Sequence, residues 1–249
     1  MTSETVILNN MPTKEGSLIS WLESLTEFFQ SKGFTVAEGD GFGIVDNEIM
    51  FGVKCTENTG ALVYSTPYSS NYSSDIAVGT YKIVDGVVSI NENLSTPGYR
   101  IDLTDSTTHA LVVNYHVDSN NAYFDVQLDT NFGAGYLITK FDDYVESDIS
   151  DKCLLSMVSS GYRSVLITPN RYYGSTANGT LKALPNLKLP SGRYTSYTTR
   201  VCSSDSSVIY GITPNLIGIC GDFTHAYAQE ISVDGKNYFH LGNHIYMPL

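Results

Sequence analysis

The chain has 249 residues, long enough to bury a full core as one large β domain or two small ones. Charged residues make up 16% of it, well below the roughly 25% usual for soluble proteins. Its formal net charge of −12 would repel a phosphate backbone and an anionic bilayer, which argues against nucleic acid and membrane as direct partners.

Hydroxyl and aromatic side chains supply the polarity instead, including 18 Tyr. Such residues suit half-buried strands and contact surfaces. Met1 to Asn10 lack the regions of a signal peptide, and no apolar run is long enough to span a bilayer, so we expect synthesis in the cytosol. The four cysteines form no CxxC pair, which predicts buried, reduced thiols; they are Cys55, Cys153, Cys202 and Cys220.

The first predicted element is an amphipathic helix. Its apolar residues recur at steps of three and four, which places them on one face; they are Leu18, Trp21, Leu22, Leu25, Phe28 and Phe29. Ser17 or Ser20 is the predicted cap, and Gly33 followed by Phe34 predicts a left-handed helix end. We expect this helix to pack on a sheet.

Strand patterns come after the helix. Phe42–Val45 and Ile49–Val53 predict one hairpin, and Tyr81–Val84 with Val87–Ile90 predict another, because Asp85-Gly86 suits a type I′ turn. Thr66–Ser74 between them is predicted to be an exposed loop.

A three-stranded antiparallel meander is predicted from Tyr99–Leu103, His109–Val117 and Tyr123–Leu128, with a turn at Asp118–Asn121. Leu137–Tyr144 continues the pattern. The acidic stretch Asp148–Asp151 is the best boundary between domains. We therefore predict an N-terminal domain at residues 1–147 and a C-terminal β-rich domain at 148–249, with one continuous domain as the alternative.

In the second half, Leu154–Val158 and Tyr162–Thr168 predict a hairpin, although Cys153–Val158 also suits one helical turn. Four prolines beyond this hairpin predict short or edge strands: Pro169, Pro185, Pro190 and Pro214. Glu230–Val233 and Lys236–His240 flank Asp234-Gly235 as a last hairpin. The predicted fold class is mainly β, with antiparallel sheets in a sandwich or barrel-like form and one N-terminal amphipathic helix packed on a sheet.

No set of residues has the spacing of a catalytic, cofactor or metal site, so we predict that the protein is not an enzyme and needs no cofactor. His240 and His244 are four apart, but the Leu241–Asn243 segment between them predicts a turn and no nearby carboxylate completes a ligand set. Gly39–Gly43 lacks the preceding strand and following helix of a dinucleotide loop.

Carbohydrate recognition is the alternative function. Asp142-Asp143 cannot flank one sugar ring as a catalytic pair, because adjacent strand residues point to opposite faces. The single tryptophan, Trp21, lies on the helix face and offers no sugar-stacking platform. A glycan- or receptor-binding β module stays the second interpretation.

Several segments, in this order, resemble a loose group of tailed-bacteriophage virion proteins. They are Phe28-Phe-Gln-Ser-Lys-Gly-Phe, the meander around His109–Leu128, Gly133-Ala-Gly-Tyr-Leu-Ile-Thr-Lys, Ile167-Thr-Pro-Asn-Arg-Tyr-Tyr-Gly and Ile231–Tyr246. The resemblance spans most of the chain and implies a non-enzymatic structural component of the neck, collar, tail or baseplate. For the alternative function it implies a glycan- or receptor-binding β module of a phage tail tip. It also implies synthesis in the host cytoplasm, localisation in the virion, and symmetric contacts with copies of itself and other virion proteins, without a small-molecule substrate.

Two aromatic segments are the predicted interface, namely the Tyr-rich loop Pro67–Ser74 and the C-terminal segment Tyr238–Leu249. Its residues are Tyr68, Tyr72, Tyr238, Ile245, Tyr246, Met247 and Leu249. An apolar terminus is normally held either on its own core or by a neighbouring subunit, and the sequence leaves both arrangements open.

Overall fold

A computed structural model describes residues 1–9, 15–45, 48–65, 74–90, 101–103, 108–128, 135–143, 153–158, 163–168, 171–173, 180–182, 194–202, 209–221, 229–242 and 244–249. Within these ranges the chain forms three antiparallel sheets and one helix that contacts sheet strands. The predicted mainly β fold with one N-terminal helix packed on a sheet is confirmed.

The elements, in chain order, are β1 (Thr2–Asn9), α1 (Glu15–Ser31), β2 (Gly43–Val45), β3 (Glu48–Thr56), β4 (Thr59–Ser65), β5 (Ser74–Val84), β6 (Val87–Ile90), β7 (Ile101–Leu103), β8 (Thr108–Val117), β9 (Asn121–Leu128), β10 (Gly135–Lys140), β11 (Asp142–Asp143), β12 (Cys153–Val158), β13 (Arg163–Thr168), β14 (Arg171–Tyr173), β15 (Thr180–Lys182), β16 (Tyr194–Cys202), β17 (Ile209–Gly221), β18 (Glu230–Val233), β19 (Lys236–Gly242) and β20 (Ile245–Pro248).

The chain divides into two compact units. The N-terminal unit comprises residues 2–117 and 123–135, and the C-terminal unit comprises residue 1, residues 118–122 and residues 136–249. The division into domains at 1–147 and 148–249 stays a prediction.

Helix α1 forms where the apolar repeat predicts it and contacts β1, β2 and β3. Phe29, fully buried, packs its ring against Phe34, Phe51 and Phe124 at centroid distances of 5.0 to 5.3 Å. These contacts join the helix to strands β3 and β9 in one aromatic core.

The end of α1 is confirmed and its predicted start is wrong. Gly33 has φ 89°, and the Phe34 N–H donates to the Phe29 carbonyl at 3.1 Å, a Schellman-type end. The helix begins at Glu15, so Ser17 and Ser20 lie inside it rather than capping it. The apolar repeat starts only at Leu18 and carries no signal for the earlier turn, whereas an acidic residue suits a helix N-terminus.

The third sheet lies in the N-terminal unit and has the order β2-β3-β4-β5-β6, with β7 also paired to β5. Both predicted hairpins are confirmed as β2–β3 and β5–β6. At the second turn, Asp85 and Gly86 have φ values of 52° and 80°, the positive values that a type I′ turn requires. The sequence did not indicate β4, whose residues 59–63 are consecutively buried, so both faces of this strand are covered.

The predicted three-stranded meander is wrong. Strand β7 pairs with β5 in the third sheet, whereas β8 pairs with β1 over eight residues in the first sheet. Only β8 and β9 are neighbours, in the order β1-β8-β9. Chain order favours local pairing, but consecutive strands are neighbours only about two-thirds of the time.

The C-terminal unit contains the second sheet, with the order β15-β16-β17-β20-β19-β18 and β11 paired to β17. The hairpin β12–β13, which belongs to the first sheet, and the hairpin β18–β19 of the second sheet are both confirmed. The helical alternative for Cys153–Val158 is wrong. Asp234 and Gly235 repeat the type I′ turn with φ values of 51° and 73°.

The expectation that prolines restrict strands to short or edge positions is wrong at Pro214. This residue lies in β17, which has 13 residues and pairs on both sides. Thr199 pairs with Thr213, but the preceding residue, Thr198, pairs with Ile217, so Pro214 sits in a bulge where no ladder hydrogen bond is required. Pro169, Pro185 and Pro190 lie outside the described residues.

Two tyrosine rings cover cross-strand glycines. Tyr197 pairs with Gly218 and Tyr81 pairs with Gly60, and a Cβ atom added to either glycine would collide with the ring. Each glycine thereby provides space for a large aromatic side chain inside a sheet.

Candidate functional site

The predicted C-terminal interface residues lie mostly inside the protein. Strand β20 is an inner strand between β17 and β19, and Ile245, Tyr246 and Met247 are each 0% exposed. This is the own-core arrangement that the sequence left open. Tyr238 and Leu249 are half-buried, and their role in an interface stays a prediction.

Residues 67–73 of the Tyr-rich loop lie outside the described residues, and Tyr68 and Tyr72 are among them. Ser74 is the first residue of β5. The proposed place of Tyr68 and Tyr72 in an interface therefore stays a prediction as well.

Tyr246 stacks on His240 within the second sheet, with ring centroids 4.7 Å apart and an interplanar angle of 20°. Burial raises the pKa of the Tyr246 hydroxyl, and among the described residues this hydroxyl has no hydrogen-bond partner. The pair thus acts as core packing.

The two Asp-Gly hairpins have different tips. In the β5–β6 hairpin, the residues flanking the turn are Val84, which is 50% exposed, and Val87, which is 64% exposed. They are direct cross-strand partners, so their side chains lie on the same face. In the β18–β19 hairpin, the corresponding partners are Val233 and Lys236. The first tip is therefore apolar, and the second carries a charge.

A polar cluster that the sequence did not indicate joins β1, α1 and β8. The Lys32 Nζ donates to Glu4 Oε1 at 2.8 Å, and the Tyr115 hydroxyl also donates to Glu4. Lys32 additionally lies over the rings of Phe28 and Tyr115, at 5.4 and 5.6 Å from their centroids. These residues are separated by up to 111 positions, so no local pattern could reveal them.

Charge and hydrogen bonding in this cluster reinforce one another. The hydrogen bonds from Lys32 and Tyr115 lower the pKa of Glu4, and the hydrogen bond to Glu4 raises the pKa of Lys32. The Glu4 carboxylate thus stays ionised, and its negative charge is paired with the positive charge of Lys32.

A second polar group is buried in the N-terminal unit. Asp125 is 1% exposed, and it accepts hydrogen bonds from Asn114 Nδ2 at 2.7 Å and from the Tyr123 hydroxyl at 3.0 Å. Tyr123 and Asp125 are two positions apart on β9, so their side chains lie on the same face of the strand. Asn114 lies on the neighbouring strand β8. Paired donors offset the cost of burying a carboxylate, so this is a structural network.

The motifs weighed from the sequence form no convergent site among the described residues. His240 is buried, whereas His244 is exposed with φ 61° in the turn before β20. In the part of the chain that the structure describes, no group of three or more His, Cys, Asp or Glu side chains could hold a metal ion. The Gly39–Gly43 segment is a turn, as predicted, closed by the Phe42 N–H to the Gly39 carbonyl at 3.2 Å.

The prediction of four reduced thiols is wrong, because Cys55 is disulfide-bonded. This half-buried residue lies on β3, between Lys54 and Thr56, where the register with β4 shifts. The expectation rested on a cytosolic site of synthesis and on cysteine spacing, and neither reports which sulfur atoms the fold brings together.

Comparison with known proteins gives no assignment: no family model matches the chain, and no curated protein matches it either. Within the described ranges, the structure contains no helix that is long and apolar enough to cross a membrane.

Proposed function

We propose that this protein is a non-enzymatic structural component of a tailed-phage virion, of the neck, collar, tail or baseplate type, which acts through protein-protein contacts in a symmetric assembly. The virion part of the proposal is supported by the sequence resemblance. The contact part has a structural observation of its own.

That observation is the apolar tip of the β5–β6 hairpin, formed by Val84 and Val87. A partner that covers this exposed apolar pair removes apolar surface from water, which favours association. The hairpin does not need it, because the same Val-Asp-Gly turn at 233–235 forms with Lys236 in place of the second valine.

The base of the hairpin holds the tip in a fixed position. Tyr81 is 1% exposed and belongs to the core with Ala37 and Leu62, and the hairpin residues Ile83 and Val88 pack against that core. A preorganised tip loses little conformational entropy on binding, which favours a contact role over a flexible loop.

The substitution Val87→Lys tests this role because it converts the tip into the polar form that the other hairpin already has. We expect the purified variant to keep the wild-type melting temperature and to associate less strongly than the wild type, measured by sedimentation velocity and by incorporation into particles. Thr198→Lys is the control, since Thr198 is exposed on an inner strand and the charge change is identical.

The virion assignment has a separate test in the neighbouring reading frames, where genes for head, neck and tail parts are expected. Neighbours that encode metabolic enzymes would contradict the virion assignment. Full association of the Val87→Lys variant would contradict the role of the tip.

A further inference from the structure

Sheet edges differ sharply in length among the described strands. Each of the three sheets has two end strands, and five of these six strands have only three or four residues. They are β14, β15, β18, β2 and β6. Short edge strands are a common means by which proteins prevent unwanted strand pairing. Strand β1 is the exception, because it has eight residues and lies at the end of the first sheet.

Among the described residues, the edge of β1 also lacks the other protective features. Its pairing with β8 runs from Thr2 to Asn9 without a register shift, so no bulge twists the edge away. The strand contains neither proline nor lysine, and Glu4 is its single charged residue. That carboxylate is occupied by Lys32, with a shortest N to O distance of 2.6 Å, and by the Tyr115 hydroxyl.

The first half of β1 is open to solvent. Thr2, Ser3 and Thr5 are exposed, and Glu4 is half-buried. Successive strand residues point to opposite faces, so exposure at both Thr2 and Ser3 means that neither face is covered there. Among the described strands, β8 alone pairs with β1.

We propose that the free edge of β1 binds the β1 strand of a second copy of this chain, in antiparallel orientation about a two-fold axis. This inference rests on the proposed function and identifies one of its contacts. In an antiparallel ladder, alternate residues direct both their N–H and C=O groups to the same side. An edge of this kind is complementary to its own copy after a two-fold rotation.

The local charge at this edge does not oppose a second copy. A chain of net charge −12 repels its own copy on average. At β1 this repulsion is reduced, since the carboxylate of Glu4 is paired with Lys32 and the Met1 amino group is paired with Glu230.

The test compares wild-type protein with the Thr5→Lys variant by sedimentation velocity over a range of concentrations. The two-fold pair places one new lysine from each copy in the junction, and lysine on an edge strand opposes pairing. We expect a dimer or larger species for the wild type and an association weakened by about tenfold or more in the variant. Thr2→Lys is a second edge variant, and Thr198→Lys is the charge-matched control that should associate as the wild type does.

Hydrogen exchange of the peptide containing residues 2–9 supplies an independent readout. Exchange should slow when wild-type protein is concentrated and should stay fast in the Thr5→Lys variant. Unchanged exchange on association, or undiminished association of both edge variants, would overturn the inference while leaving the proposed function intact. A wild-type chain that is monomeric alone but enters particles only with an intact edge would mean that another protein occupies β1, and the second copy would be refuted. A wild-type chain that neither associates nor enters particles would remove the proposed function as well.

Discussion

Three buried tyrosines allow the structure to predict the sign of a stability change. Tyr81 is 1% exposed, and Tyr123 and Tyr246 are 0% exposed. The hydroxyls of Tyr81 and Tyr246 have no hydrogen-bond partner among the described residues, whereas that of Tyr123 donates to the buried carboxylate of Asp125 at 3.0 Å. The same Tyr→Phe change should therefore have opposite effects.

Removal of an unpartnered buried hydroxyl relieves a desolvation cost. We expect Tyr81→Phe and Tyr246→Phe each to raise the free energy of unfolding by about 0.5–1.5 kcal/mol. Tyr123→Phe removes a hydrogen bond to a charged group and should lower it by about 1.5–3 kcal/mol. For a chain of this size, each 1 kcal/mol corresponds to a shift of roughly 2–4 °C in melting temperature.

Urea denaturation and thermal melting of the three variants measure these differences. A second readout is pH: burial raises the pKa of Tyr81, so the folded state ionises this phenol later than the unfolded chain does. The stability that depends on the neutral phenol is complete below the unfolded pKa of about 10 and decreases as the pH rises above it. Tyr81→Phe should therefore show a smaller loss of stability between about pH 9 and 11. Destabilisation of more than about 1 kcal/mol by Tyr81→Phe would refute the reasoning, because it would reveal a hydrogen bond that matters.

Three further predictions concern the core, the surface cluster and the cysteines. Phe29→Ala should destabilise the protein by about 3–5 kcal/mol because it leaves a cavity at the centre of the aromatic core. The control Gln30→Ala, at an exposed position, should change stability by no more than about 0.5 kcal/mol. The midpoints of urea denaturation compare the two variants. In an NMR pH titration the pKa of the Glu4 carboxylate should lie below its usual range, and it should rise in the Lys32→Met variant. The stability that this ion pair contributes should be present above the pKa of Glu4 in the unfolded chain and lost as the pH falls through its pKa in the folded chain. Denatured, non-reduced protein should react with a thiol reagent at no more than two of its four cysteines, since Cys55 and its partner are oxidised; four reactive thiols would contradict the disulfide.

The sequence predicts those parts of the fold that depend on neighbouring residues. The α1 stripe, the stop at Gly33 and the two Asp-Gly hairpins each carry a signal within a few positions, and all are confirmed. Pairing between distant segments has no such signal. Consequently the sequence does not indicate β1, and it places β7 beside the wrong neighbour.

The candidate site shows the same limit. The sequence marks the apolar C-terminal segment as one that must be held, but periodicity cannot show that β17 and β19 enclose it. The Glu4, Lys32 and Tyr115 cluster and the disulfide at Cys55 depend on distances that only the folded chain defines. The polarity of the hairpin tips, in contrast, is already visible in the residue after each Val-Asp-Gly.

Both contact surfaces that we propose belong to the N-terminal unit, one at a hairpin tip and one at a sheet edge. Among the described residues of the C-terminal unit, the edge strands β14, β15 and β18 are short, and the tip of the β18–β19 hairpin carries Lys236. The sheet edges and the hairpin tip of this unit are therefore less suited to contacts with a partner. The same turn and the same sheet type occur in both units, and therefore folding alone does not require the apolar tip or the long open edge. An assembly role for the N-terminal unit would restrict them to that unit, because exposed apolar and unpaired backbone groups persist where a partner covers them.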